Sequence, residues 1–106
     1  MGPNEEMVTR LNEIAAKHGF RPAEVRQEDA ARALERGRQI IAVFAGSIRE
    51  DPAWGNCGLT LLASSSGGFD LEGYAFPIGY EPQRLEELRT ALSAYLLQQG
   101  YSPLEK

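Results

Sequence analysis

Ile40-Ile41-Ala42-Val43-Phe44-Ala45 is an unbroken apolar run, rich in β-branched side chains and too short for a typical helix. Such a run predicts a buried central strand, covered on both faces. Downstream, Leu59-Thr60-Leu61-Leu62-Ala63 predicts a second strand, and Phe69–Phe76 alternates well enough for a third. Ser64-Ser65-Ser66-Gly67-Gly68 between them is a turn, because Gly-Gly tolerates positive φ, so the two strands form a hairpin. Pro77 has no N–H for a ladder and ends the third strand or confines it to an edge. Glu50–Asn56, with its Pro, Gly and Asn, is a loop. No helix-length segment separates the strands, which excludes a parallel sheet.

The flanking segments are helical. Asn4 can cap a helix that starts at Glu5, and Met7, Val8, Leu11, Ile14, Ala15 and His18 share one stripe. Gly19 supplies a left-handed C-cap, Phe20 folds back, and Pro22 blocks continuation. A second helix starts with Asp29 as cap and ends at Gly37, with Ala30, Ala33 and Leu34 as a thin apolar face. Residues 23–26 are either its first turn or an extended linker. Pro82 opens the last helix, whose stripe is Leu85, Leu88, Ala91, Leu92, Tyr95 and Leu96; Gly100 ends it and Tyr101 folds back. The tracts Gly19-Phe20-Arg21-Pro22-Ala23-Glu24 and Gly100-Tyr101-Ser102-Pro103-Leu104-Glu105 share a Gly-aromatic-x-Pro-x-Glu pattern, which helix termination explains.

The expected fold is therefore one α+β domain over residues 1–106: a three-stranded antiparallel sheet in the order α-α-β-β-β-α, with the C-terminal helix packed on the sheet. A three-stranded sheet covered on one face leaves the other wet, yet the first strand is apolar on both sides. The N-terminal helices or a partner chain must cover that second face.

Composition narrows the function. The 106 residues are 42% hydrophobic and 25% charged, as in an ordinary folded domain. Eleven Lys+Arg against fifteen Asp+Glu give a net charge of −4. The Arg-rich stretch 21–38 carries five Arg, but Glu24, Glu28, Asp29 and Glu35 interleave with them. That is a solvated face rather than a phosphate-binding one, so nucleic acid is not expected as a partner. No apolar run reaches the ~18 residues of a membrane helix, and the acidic N-terminus lacks the build of a secretory signal. The single cysteine points to a reducing cytoplasm, and the chain as a whole is expected to be a small, acidic, bacterial-type protein.

Chemistry-bearing residues are few. His18 and Cys57 are each the only one of their kind, so the usual four-ligand zinc site cannot form within one chain, and neither metal nor cofactor is expected. A Cys57–His18 dyad is allowed but not indicated, since no third group announces itself. Asp70-x-Glu72 lacks calcium-loop spacing, and the Ser-rich turn lacks the Lys and following helix of a phosphate loop. No enzyme is expected. Three features instead exceed the needs of a core. Trp54 lies in a Pro- and Gly-containing loop. Leu97 sits about 120° from Leu85 on the last helix, with Ala94 and Tyr101 near that side. Tyr74, Phe76, Ile78 and Tyr80 fall at every second position of the third strand and its exit. These point to a small regulatory module (an inhibitor, antiactivator, immunity factor or adaptor) that occupies an apolar surface of another protein. Trp54, Leu92, Tyr95, Leu97 and Tyr101 are its expected contacts, and a homodimer is the simplest association. The second reading is a small-molecule binder or minor enzyme with a pocket near Cys57 and His18.

Overall fold

In the computed structural model, the described residues are 5–47, 56–65, 67–75 and 83–104. They form helices α1 (Glu5–Lys17), α2 (Gln27–Glu35) and α3 (Gln83–Gln98), and strands β1 (Arg21–Pro22), β2 (Arg38–Ser47), β3 (Asn56–Ser64) and β4 (Phe69–Ala75). The fold is α+β, with one antiparallel sheet in the order β1-β2-β3-β4. Two expectations are corrected. The sheet has four strands rather than three, and β1 separates the first two helices, so the order is α-β-α-β-β-β-α. β1 pairs Arg21 with Ala45 and Pro22 with Phe44, and the Ala23 N–H continues the pairing onto the Val43 carbonyl at 2.8 Å. A two-residue strand has no periodicity to read, and its Pro fits an edge because it donates to no ladder.

The apolar run of β2 resolves into two faces through a bulge. Ile40 pairs with Leu62 and Ala42 with Leu61, so Ile41 is the extra residue. The bulge resets the alternation. Ile41 and Ala42 both pack against the core, as does Phe44, while Ile40 and Val43 share the opposite face with Thr60 and Leu62. On the core face Cys57, Leu59, Leu61 and Phe69 meet Met7, Leu11 and Ala15 of α1 and Leu85, Leu88, Leu92 and Leu96 of α3. These are the stripes that 3.6-residue spacing predicts, and α3 packs on the sheet as expected.

Phe20 joins helix to sheet. Its amide bonds the Ala15 carbonyl at 2.9 Å and Gly19 bonds Ala16 at 3.1 Å, a Schellman motif with Gly19 at φ 82°. The ring is fully buried, and a Cβ placed on Gly46 of β2 would lie 3.0 Å from it. The last helix ends the same way. Tyr101 bonds Leu96, Gly100 bonds Leu97, and Gly100 has φ 90°.

The second helix also departs from expectation. It begins at Gln27 with Arg26 as N-cap and no side-chain cap, so Asp29 lies in the first turn and bonds Arg32. Of its expected apolar face only Ala33 is buried, while Leu34 is exposed. The helix presents Ala33, Asp29 and Arg36 toward the sheet, which turns Leu34 outward.

Phe20→Ala is expected to destabilise the fold by about 3–5 kcal/mol. Gly46→Ala should cost about 1–3 kcal/mol through overpacking against the same ring. Urea unfolding followed by circular dichroism measures both.

Candidate interaction surface

Helix α2 covers the second face of the sheet only in part, because it packs along β2 at one side. Between α2 and the sheet lies a groove of about 780 Å³. Ile40, Val43, Thr60 and Leu62 form its floor, and Ala33 and Val25 lie along its helical side. Leu62 is buried, whereas Ile40 and Val43 are half-exposed. The rim is charged but largely self-neutralised. Arg32 pairs with Asp29, and the Arg36 Nη1 donates across the groove to Glu72 Oε1 of β4 at 3.3 Å. Both pairs are solvent-exposed and worth at most about 1 kcal/mol each, so they orient side chains more than they hold the fold.

The exposed large apolar side chains among the described residues are Val25 at 42%, Leu34 at 68% and Leu97 at 52% relative accessibility. Val25 lines the α2 groove, while Leu34, turned outward on α2, is not among the residues that line it. Sequence reasoning misses the exposure of Leu34, because its spacing groups it with Ala30 and Ala33 on one face. The available signal was the poverty of that helix: a lone Leu among Ala residues gives no strong stripe to set its rotation.

The residues expected to contact a partner are dispersed. Leu97 is on the surface of α3. Tyr95 and Tyr101 are half-buried against the core and together line a small pocket of about 260 Å³ with Met7 and Arg10. Leu92 is fully buried in the core beside Leu88 and Leu96. Trp54, Phe76, Ile78 and Tyr80 lie outside the described residues, as does the side chain of Tyr74. Asn4 and Pro82 are outside them as well.

Cys57 and His18 have separate surroundings. The His18 Nδ1–H donates to the Ile14 carbonyl at 3.0 Å, closing the last turn of α1. Cys57 is fully buried at the start of β3 and is a free thiol. Burial pushes its pKa above the ordinary 9.0, and the adjacent Arg84 guanidinium opposes this by charge and by a hydrogen bond. Arg84 also stacks over the Phe20 ring, 5.7 Å from its centroid. A buried thiol held protonated is a poor nucleophile and behaves as a small hydrophobe. Among the described residues no cluster of His, Cys, Asp and Glu has the makings of a metal site, and no helix is long and apolar enough to cross a membrane.

Because the folded-state pKa of Cys57 is raised, its contribution to stability is complete below the unfolded value and is lost as pH rises through the folded one. Stability should therefore fall above about pH 9 by more in the wild type than in Cys57→Ala, measured by urea midpoint against pH. Compared with known proteins, the chain matches no family model, no curated protein and no solved structure.

Proposed function

We propose that this chain is a protein-binding module that acts by occupying an apolar surface of a partner. One observation carries the reading: Val25 stands exposed at a groove whose floor is Ile40, Val43 and Leu62, and Leu34 stands exposed on the outward side of the helix that walls this groove. Burying such side chains against a partner contributes about 25 cal/mol per Å² of apolar area. Leu97 extends the apolar surface to a second side of the molecule. Trp54, which Trp enrichment at hot spots singles out, joins the proposed contact from outside the described residues. The net charge of −4 suits a basic partner and acts on the association rate more than on affinity. The proposed setting is the cytoplasm, and a second copy of the chain is the simplest partner.

The groove also favours a second reading, binding of a small apolar molecule, since about 780 Å³ lies within the range of ligand pockets. In this second reading the ligand lies under α2 rather than beside Cys57 and His18.

The two readings separate experimentally. Leu34→Glu, Val25→Glu and Leu97→Glu change stability by no more than about 0.5 kcal/mol, because each position is exposed. Tagged wild-type protein purified from its native cell should retain a partner in stoichiometric yield. At least one of the three variants should weaken retention about tenfold, whereas Thr9→Glu on the exposed side of α1 should not. Unchanged retention across all three variants contradicts the reading. A metabolite that raises the thermal midpoint of wild type but not of Val25→Glu supports the small-molecule alternative.

A further inference from the structure

We propose that the outer edge of β4 accepts an extended strand from another protein, basic on one face and apolar on the other, and that the chain's own Ser102–Leu104 segment holds its place. The proposal concerns the edge of β4 rather than the floor of the groove under α2, and shares only Glu72 with the rim of that groove. β4 is the last strand of the sheet, and its outer edge is met by the C-terminal segment at one position. The Phe69 N–H donates to the Ser102 carbonyl at 2.9 Å, and the Leu104 N–H donates to the Phe69 carbonyl at 2.7 Å. These two bonds make a parallel bridge between Phe69 and Pro103. Pro103 lacks an N–H and needs none there, because its nitrogen faces away from β4.

The segment packs beside the turn that opens β4. Gly68 has φ 100°, a conformation that favours glycine, and a Cβ on it would make ordinary contact with the Ser102 carbonyl oxygen at 3.4 Å and the Leu104 Cα at 3.5 Å. By the alternation of a β-strand, Leu71 and Gly73 turn their N–H and C=O groups to the same outer side as Phe69. The Leu71 N–H is held by the Asp70 carboxylate of its own strand at 2.9 Å. Among the described residues no backbone partner meets Gly73 on that side. Among the described residues the edge is therefore met by three bonds, two from the C-terminal segment and one from a side chain, all of which a competing strand can replace.

Charge selects the occupant. Asp70 and Glu72 lie on the second face of β4, where Glu72 also accepts from Arg36 in an exposed pair, and Phe69 and Leu71 lie on the core face. A second copy of β4, paired antiparallel with its apolar face aligned, sets acid against acid, either Asp70 against Glu72 or Glu72 against Glu72. Like charges directly opposite destabilise a pair. A parallel strand with Lys or Arg on the Asp70 side and apolar residues on the Leu71 side is complementary at both faces. A base placed there also draws the Asp70 carboxylate from the Leu71 N–H and frees that donor for the incoming backbone.

The probe is a fluorescein-labelled peptide with the Tyr101–Pro103 sequence followed by Lys-Val-Lys-Val, which in the Phe69–Pro103 register sets its two Lys opposite Asp70 and Glu72, and its control has Glu in place of both Lys. Binding to the full chain is read by anisotropy, and amide exchange by NMR. The Leu104→Asp variant weakens the resident segment beside Asp70 and should bind the Lys peptide about tenfold tighter than wild type. The Glu peptide should bind at least about tenfold more weakly than the Lys peptide. Exchange at Leu71 and Gly73 should slow on binding. Equal binding of both peptides, no binding by a folded Leu104→Asp chain, or its dimerisation in sedimentation overturns the proposal. The wild type alone provides a test if the variant does not fold. The Leu104 and Phe69 amides should exchange far faster than Leu61 of the central strand, and equal protection overturns the proposal too.

Discussion

The constraint on which the structure depends is that β2 is apolar on both of its faces. A strand of that kind is stable only if both sides are taken from water. One side is satisfied fully, as α1 and α3 lay their Leu-rich stripes over Phe44, Leu59 and Leu61. Among the described residues the other side is met by one short helix, in which Ala33 alone is buried. The bulge at Ile41 deepens this asymmetry, because it sends Ile41 and Ala42 to the full core and leaves Ile40 and Val43 for the thin one. The apolar groove under α2 is thus a consequence of how the strand divides its side chains.

The two Gly-aromatic-x-Pro tracts gain a joint meaning in three dimensions. Each ends a helix through the same pair of backbone bonds, with glycine in the left-handed region and an aromatic ring folded back. Each then lays an extended Pro-containing segment on an edge of the sheet, Arg21–Pro22 against β2 and Ser102–Leu104 against β4. Exposed strand edges are templates for unwanted pairing, and short Pro-bearing segments blunt them. One sequence device therefore terminates both long helices and guards both edges. The guards differ in strength: the first is followed by α2 and pinned by buried Phe20, while the second rests on two hydrogen bonds and half-buried Tyr101 and Leu104.

Much of this architecture is legible in the residues. The stripes Met7-Leu11-Ala15 and Leu85-Leu88-Leu92-Leu96 define two helices and their buried sides, and the Gly67-Gly68 turn defines the β3–β4 hairpin. What escaped reading lacks periodicity. Two residues cannot announce β1, and the rotation of α2 is set by the tight turn at Gly37 and by the sheet beneath it rather than by a stripe of its own. The surplus at Leu97 follows from its angle on the helical wheel. The surplus at Val25 and Leu34 does not, because it depends on where α2 settles over the sheet. Leu92 shows the converse: an apolar residue on the main stripe of α3 is core before it is contact.

The account's central claim is that apolar surface is left over on the α2 side after the fold has satisfied itself elsewhere. Methyl NMR with a soluble paramagnetic agent tests it directly. The account predicts strong broadening of the Val25, Leu34 and Leu97 methyls, weaker broadening at Ile40 and Val43, and none at Leu59, Leu61 or Leu92. Protection of Val25 and Leu34 equal to that of Leu61 in the isolated chain contradicts it.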